Sequence, residues 1–303
     1  MMVKNASRFA TALGVSPIII GLSIVSVGTS TPELVVSIMA ALQKSAGISI
    51  GNIIGSNIAN IGLILGIGAI ITPLQVKTTW VRREVPYMIL VTTVFSLEAF
   101  RGYELTRLDG SVLIVLLILF IVYLGRYAFK EMSNFKEIQQ ELHLSGESVT
   151  SVPAKKKLWY LLLSLVGLGI LILGSEWSVT AGKIIARHLG VSDMVIGLTV
   201  IAVGTSLPEL ATTIVGTLRG ETDLVVGNVI GSNIFNLVLI GGIVSLIRPI
   251  PLEPSLIHIN IPFLFILSII LLPLMRIRYN VSRLEGVLLL ASYGLFLYLT
   301  LRV

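Results

Sequence analysis

The octapeptide VGTSTPEL, residues 27–34, sits inside a long apolar run and returns as VGTSLPEL at residues 203–210. An acidic residue in the middle of a membrane-spanning helix costs about 2.5–3.5 kcal/mol on insertion scales. Glu33 and Glu209 therefore persist only if they face a polar cavity and gain partners there. Pro32 has no amide hydrogen, and its ring clashes with the carbonyl four residues back, that of Gly28. The helix is expected to open around Gly28–Ser30, and Pro208 should do the same at Gly204. Freed carbonyl oxygens are prohibitive against lipid, but they are hard ligands where they line an ion site.

The surrounding chain is membrane-like throughout. Of its 303 residues 54% are hydrophobic and only 13% charged, whereas soluble chains run to about 25% charged. Apolar stretches of about 20 residues recur, the length of a transmembrane helix and too long for lipid-facing β-strands. They predict an all-α polytopic fold with nine spans, near 12–41, 48–72, 85–100, 111–125, 158–182, 191–217, 224–247, 257–275 and 284–301. Residues 1–125 form a first membrane repeat of four spans, and 158–303 a second of five. Between them, 126–157 reads as a surface amphipathic helix (Phe129, Met132, Phe135, Ile138 and Leu142 at helical spacing) and a short linker. Lys and Arg in alternate loops divide fifteen against seven. The richer set marks the inner side, placing 126–157 in the cytoplasm and the C-terminus outside, in a cell membrane. The net charge of +6 is read the same way, as orientation and not as nucleic-acid binding. No apolar signal core precedes the first span. The absence of cysteine excludes disulfides, thiolate metal sites and cysteine nucleophiles, and the three histidines are scattered.

A shift of 176 residues lays LGVSPIIIGLSIVSVGTSTPEL (13–34) over LGVSDMVIGLTVIAVGTSLPEL (189–210). The same shift, ungapped, lays GNIIGSNIANIGLILGIGAII (51–71) over GNVIGSNIFNLVLIGGIVSLI (227–247), and at least half the paired positions are identical. Five spans separate a residue from its counterpart. An odd number means the copies cross the membrane in opposite senses, the inverted repeat of secondary transporters, with broken helices and the binding site at the midplane.

Within each copy the polar residues share faces. Ser23, Ser26, Ser30, Glu33 and Ser37 recur at helical steps, matched by Thr199, Ala202, Ser206, Glu209 and Thr213. Asn52, Ser56 and Asn60 lie four apart, as do Asn228, Ser232 and Asn236; Gly51, Gly55, Gly227 and Gly231 permit close helix approach. A single kink, or a GNxIGSN segment alone, is ordinary packing. A proline break beside a buried glutamate, twice at one register, is not. Glu98 and Glu176 fall near span ends and read as snorkelling or interface pairing. The donors are all oxygen, suited to Na⁺, Ca²⁺ or Mg²⁺, and a flexible set of six or more favours Ca²⁺. Two carboxylates match one Ca²⁺ or two to three Na⁺, as an exchanger requires.

These blocks resemble the paired α-repeats of the calcium/cation antiporter superfamily, its prokaryotic-type Na⁺/Ca²⁺ exchangers in particular. The resemblance implies ligands at Thr29, Ser30, Glu33, Ser56 and Asn60, and at Thr205, Ser206, Glu209, Ser232 and Asn236. Backbone carbonyls around Ser26, Thr29, Ala202 and Thr205 would complete the set. It implies Na⁺ and Ca²⁺ as transported partners, with no cofactor and no enzymatic activity. Some members, notably K⁺-dependent ones, carry Asp where this chain has Asn236, so Asn leans toward K⁺ independence. The family has ten helices, and the first of that pattern is expected to be missing here: MMVKNASRFA aligns with WSVTAGKIIA, the tail of the helix before the second motif. The upstream reading frame is then expected to encode about 20 more apolar residues, with an acidic residue matching Glu176.

The function expected is antiport of Na⁺ against Ca²⁺ by alternating access. An H⁺/Ca²⁺ exchanger is the alternative, since a proton can also neutralise a buried carboxylate. An intramembrane hydrolase would need a motif such as HExxH, which is absent from the sequence. A passive cation channel fits broken inverted repeats less well than a carrier does.

Overall fold

The computed structural model describes residues 2–144, 152–188, 190 and 193–302. The expectations for the 145–151 linker and for the side chains of Ile138, Leu142 and Glu176 lie outside the described residues. In chain order the helices are α1 (Met2–Leu13), α2 (Pro17–Thr29), α3 (Thr31–Leu42), α4 (Ala46–Ile71), α5 (Glu84–Gly102) and α6 (Arg107–Leu144). The second half continues with α7 (Ala154–His188), α8 (Met194–Thr205), α9 (Leu207–Leu218), α10 (Thr222–Ile247), α11 (Leu256–Arg278) and α12 (Arg283–Leu301).

Six of these are long and apolar enough to cross a membrane, and the bent pairs α2–α3 and α8–α9 bring the number to eight among the described residues. The ninth expected span is α5, whose 19 residues include Glu84, Glu98 and Arg101 and so dilute its apolar character. The main core is rich in Ile, Leu and Val, with α4 and α10 at its centre: Ile50, Ile53, Ile54, Ile58, Val229, Ile230 and Ile234 are wholly buried. Glu98 does not snorkel; it is buried, with Oε2 unpartnered.

Two small antiparallel ladders fix the topology. Strand β1 (Leu74–Gln75) pairs with β4 (Asn280–Val281), and β2 (Glu104–Leu105) pairs with β3 (Ile250–Pro251). Helix α5 joins β1 to β2 over about 28 Å, so the ladders sit at opposite ends of the bundle. By the 176-residue shift the counterpart of β1 is β3, and that of β2 is β4. Counterparts therefore lie at opposite ends, and the repeat is inverted. One end carries Lys77, which pairs with Asp223 at 2.6 Å. At the other, Lys44, Glu104 and Arg248 surround a common cavity.

Two features depart from the sequence expectation. Helix α6 passes 125–126 without a break, so the last span of the first repeat and the amphipathic segment are one helix of 38 residues. A lone Gly125 costs only about 1 kcal/mol in a helix, too little to stop it without a proline. At about 57 Å α6 outreaches a bilayer core of about 30 Å. Its extension packs on the turn between α1 and α2: Glu131 Oε2 accepts from the Ser16 amide at 2.7 Å, and Phe135 covers Gly14. Phe129, by contrast, is exposed. The second departure is a set of π-helical turns at counterpart positions, Gly21–Val25 with Gly197–Ile201 and Ala59–Leu65 with Asn236–Gly241. Such widened turns concentrate at functional sites.

Candidate ion-binding site

The proline breaks fall where Pro32 and Pro208 place them. Ser30 (φ −82°, ψ 7°) separates α2 from α3 with a 41° bend, and Ser206 (φ −82°, ψ 9°) separates α8 from α9 with a 42° bend. Each glutamate lies three residues past its break, in the first turn of α3 or α9. A carboxylate is electrostatically favoured there by the free amides of the new helix.

Glycine lets the helices cross at backbone distance, and the crossings join opposite copies. A Cβ at Gly21 would lie 2.7 Å from the Leu224 carbonyl oxygen, and one at Gly227 2.9 Å from that of Ile18, so α2 lies on α10. Likewise a Cβ at Gly197 would lie 2.9 Å from the Ile48 oxygen, and one at Gly55 would strike the Leu198 oxygen, so α8 lies on α4. Each broken helix thus rests on the GNxIGSN helix of the other copy.

The hydrogen bonds are exchanged in the same way. Ser206 Oγ donates to Glu33 Oε1 at 2.8 Å, and Ser30 Oγ donates to Glu209 Oε1 at 3.0 Å. Thr29 Oγ1 donates to Asn228 Oδ1 and Thr205 Oγ1 to Asn52 Oδ1, both at 3.1 Å. Ser232 Oγ adds a 3.2 Å bond to Glu209 Oε1, and Ser56 Oγ donates to the Ala202 carbonyl at 3.4 Å. Asn52 and Asn228, read from sequence only as part of a polar face, are the cross-links between copies; their matched registers were the available signal.

All twelve expected site residues (Ser26, Thr29, Ser30, Glu33, Ser56, Asn60, Ala202, Thr205, Ser206, Glu209, Ser232 and Asn236) are buried, none more than 3% exposed. The structure ties Thr29, Ser30, Glu33, Ser56, Ala202, Thr205, Ser206, Glu209 and Ser232 into one network. Asn60 and Asn236 lie four residues beyond Ser56 and Ser232, at the π turns, with both amide atoms unpartnered. Glu33 Oε2 and Glu209 Oε2 are unpartnered too. Buried polar atoms are nearly always satisfied, so two orphan carboxylate oxygens and two orphan amides in one core fit a hard-cation substrate. The expected carbonyl ligands are not free in this conformation. Ser26 O and Ala202 O still accept from the Ser30 and Ser206 amides at 2.9 and 3.1 Å. Thr29 Oγ1 also donates to Ser26 O at 3.4 Å, and Thr205 Oγ1 and Ser56 Oγ to Ala202 O at 3.3 and 3.4 Å. An ion at either carbonyl therefore has to displace a hydroxyl, whereas Pro32 removes the amide that would reach Gly28.

A cavity of about 280 Å³ leads from Thr205 and Pro32 past Val36 and Ala40 to Gln43 and Ser45, walled by Ile172 and Thr180 of α7. It leads toward the Lys44 end. At the Lys77 end the counterpart position is filled by α1: Val3 and Ala6 are buried, and Ser7 Oγ donates to Glu221 Oε2 at 2.7 Å.

Inverted repeats, paired broken helices and a buried all-oxygen cluster at their crossing define a polytopic membrane transporter for cations. The chain belongs to the sodium/calcium exchanger protein family, whose model matches residues 1–126 and 159–302. It is 34% identical over 324 residues to the sodium/calcium exchanger MaX1 of Methanosarcina acetivorans, covering 97% of this chain and 92% of that protein. It is 38% identical over 273 residues to the inner membrane protein YrbG of Escherichia coli K12, covering 89% and 81%. Among solved structures it matches the sodium-calcium exchanger NCX_Mj soaked with 10 mM Na⁺ and 10 mM Sr²⁺, with a TM-score of 0.78, 34% identity, and coverage of 97% of this chain and 90% of that one. The chain is a membrane antiporter of the calcium/cation exchange type and not an enzyme.

Proposed function

We propose that this antiporter exchanges Na⁺ for Ca²⁺ by alternating access, binding both at the glutamate pair. The observation that carries the reading is the orphan oxygen on each of two fully buried, cross-linked carboxylates. A site of about two negative charges is costly to leave empty in a low-dielectric core, so neither Glu33 nor Glu209 crosses unneutralised. Either one Ca²⁺ or a small set of Na⁺ discharges it, and that equivalence couples the two fluxes. Glu33, Glu209, Asn60 and Asn236 supply the hard oxygens, and Thr29, Ser30, Ser56 and their counterparts add hydroxyls. Ser26 and Ala202 add backbone carbonyls. Oxygen donors of mixed kind in flexible number suit Ca²⁺.

Three facts support Na⁺ as the counter-ion. Relatives named for sodium and calcium exchange match 97% of the chain. The cluster is rich in the neutral hydroxyls that Na⁺ accepts. Asn60 and Asn236 are neutral amides where further carboxylates would suit a proton-coupled exchanger. The cavity on the Lys44 side corresponds to an outward-open form, with 126–157 cytoplasmic and the C-terminus outside. The Na⁺ gradient then expels Ca²⁺.

The test is Ca²⁺ uptake into proteoliposomes under separately imposed Na⁺, K⁺ and pH gradients. Uptake driven by an outward Na⁺ gradient alone is expected. Uptake driven only by a pH gradient would make the proton the partner and overturn the Na⁺ assignment.

A further inference from the structure

The two copies differ along one buried strip. In the first copy Ser49 Oγ donates to the Ser37 carbonyl at 2.9 Å, and Asn52 Nδ2 donates to Ser37 Oγ at 2.9 Å and to the Glu33 carbonyl at 3.2 Å. The counterparts are Val225, Thr213 and Asn228. There Thr213 Oγ1 and Asn228 Nδ2 are wholly buried and unpartnered. One turn on, where the first copy has Ala41, Thr217 is 2% exposed with an unpartnered hydroxyl.

Glu209, Thr213 and Thr217 follow one another at steps of four along α9, running from the glutamate pair toward the Lys77 end. The facing residue on α4 is Gly68. A Cβ there would lie 2.8 Å from Thr213 Cγ2, 3.5 Å from Thr217 Oγ1 and 3.5 Å from Leu74 Cδ1. Leu74, wholly buried in β1, therefore stands beside Thr217 at the end of the strip. Beyond β1 is a vestibule of about 420 Å³ lined by Gln75, Lys77, Asp223 and Asn280, with the 2.6 Å Lys77–Asp223 pair at its edge. Packing alone does not call for orphaned hydroxyls on this strip; Val or Ala would fill it without stranding a polar atom. Hydroxyl oxygens spaced one turn apart are what a dehydrated cation requires in transit.

Resting on the exchanger reading, we propose that Thr213 and Thr217 line the ion route between Glu209 and the Lys77 face. In this conformation Leu74 plugs it, and the Lys77–Asp223 pair is its gate. The route is distinct from the cavity toward Gln43, which serves the opposite face.

The chain has no cysteine, so an introduced thiol is the sole target of a charged, membrane-impermeant thiol reagent. Thr217→Cys and Gln43→Cys are labelled separately in right-side-out and inside-out vesicles. Thr217→Cys is expected to react from the Lys77 face alone and Gln43→Cys from the other face alone, with saturating Ca²⁺ slowing the first. Adding Asp223→Asn should speed labelling at 217 by about fivefold, the scale of one exposed ion pair. Thr217→Val should cut turnover about threefold to tenfold at unchanged Ca²⁺ binding, and Thr217→Ser should restore it. A thiol at 217 that is unreactive from both faces, or reactive from the same face as Gln43→Cys, overturns the route. Wild-type turnover in Thr217→Val does so as well, by leaving the threonine a packing residue. An Asp223→Asn variant without effect on labelling removes the gate. The sidedness of labelling does not depend on which gradient drives Ca²⁺, so a failure of Na⁺ coupling is read separately.

Discussion

Glu33 and Glu209 each accept from a serine of the opposite copy through one oxygen and leave the other free. Glutamine keeps the shape and removes the charge. Glu33→Gln or Glu209→Gln is expected to lower Ca²⁺ uptake by at least about a hundredfold, since unbalancing a buried ion site is worth several kcal/mol. The variant proteins should still purify as folded, monodisperse species. Near-normal uptake by either would remove the glutamate pair from the mechanism. Asn236 tests the same site from the neutral side. Asn236→Asp adds a third carboxylate to the core, where three like charges are mutually unfavourable. The pH and cation dependence of its transport should differ from the parent's, because the added carboxylate favours holding a proton between two others. Identical pH profiles would place Asn236 outside the site.

Among the elements, the crossings of α2 on α10 and α8 on α4 are set by glycine. Gly55 and Gly231 have the Leu198 backbone oxygen and the Ser26 hydroxyl respectively where a side chain would go. Gly55→Ala or Gly231→Ala is expected to cost about 1–3 kcal/mol, the usual penalty of overpacking, read as a lowered thermal midpoint in detergent. Gly169, whose added Cβ meets nothing within 4 Å, is the control: Gly169→Ala should not lower the midpoint and should raise it slightly, by alanine's better helix propensity. Equal midpoints for all three would mean that the crossings relax at no cost. The same crossings explain the exchange of serines. With α2 and α8 lying on the far copy's helices, Ser30 donates to Glu209 and Ser206 donates to Glu33.

At the level of the whole molecule, the cross-copy ladders β1–β4 and β2–β3 bind loops that must share a membrane face. Together with the excess of Lys and Arg at the Lys77 end, they predict the orientation. A thiol at Lys130→Cys should be labelled only from the cytoplasm, and one at Glu253→Cys, beside β3, only from outside. Labelling of both from one face would break the inverted arrangement, and labelling from the reversed faces would invert its orientation.

The repeat, its inversion, the spans and the helix breaks were all legible in the residues. Each is dictated over short range: hydrophobic length sets a span, the missing amide of Pro32 or Pro208 sets a break, and an odd number of spans sets the relative sense of two copies. The buried Glu33 and Glu209 were legible because a charge within an apolar run has so few permitted uses. What the tertiary structure alone decided is which groups meet. The pairing of Ser206 with Glu33, the Thr29–Asn228 and Thr205–Asn52 links, and the stranded hydroxyls of Thr213 and Thr217 depend on how helices far apart in sequence cross. So does the choice of which end of the site is open. The π turns at Asn60 and Asn236, and the unbroken run of α6 past residue 125, carry no local stop or start signal strong enough to be read. Chain neighbours fix the chemistry a residue offers, whereas close backbone contact between the copies fixes the partner that receives it.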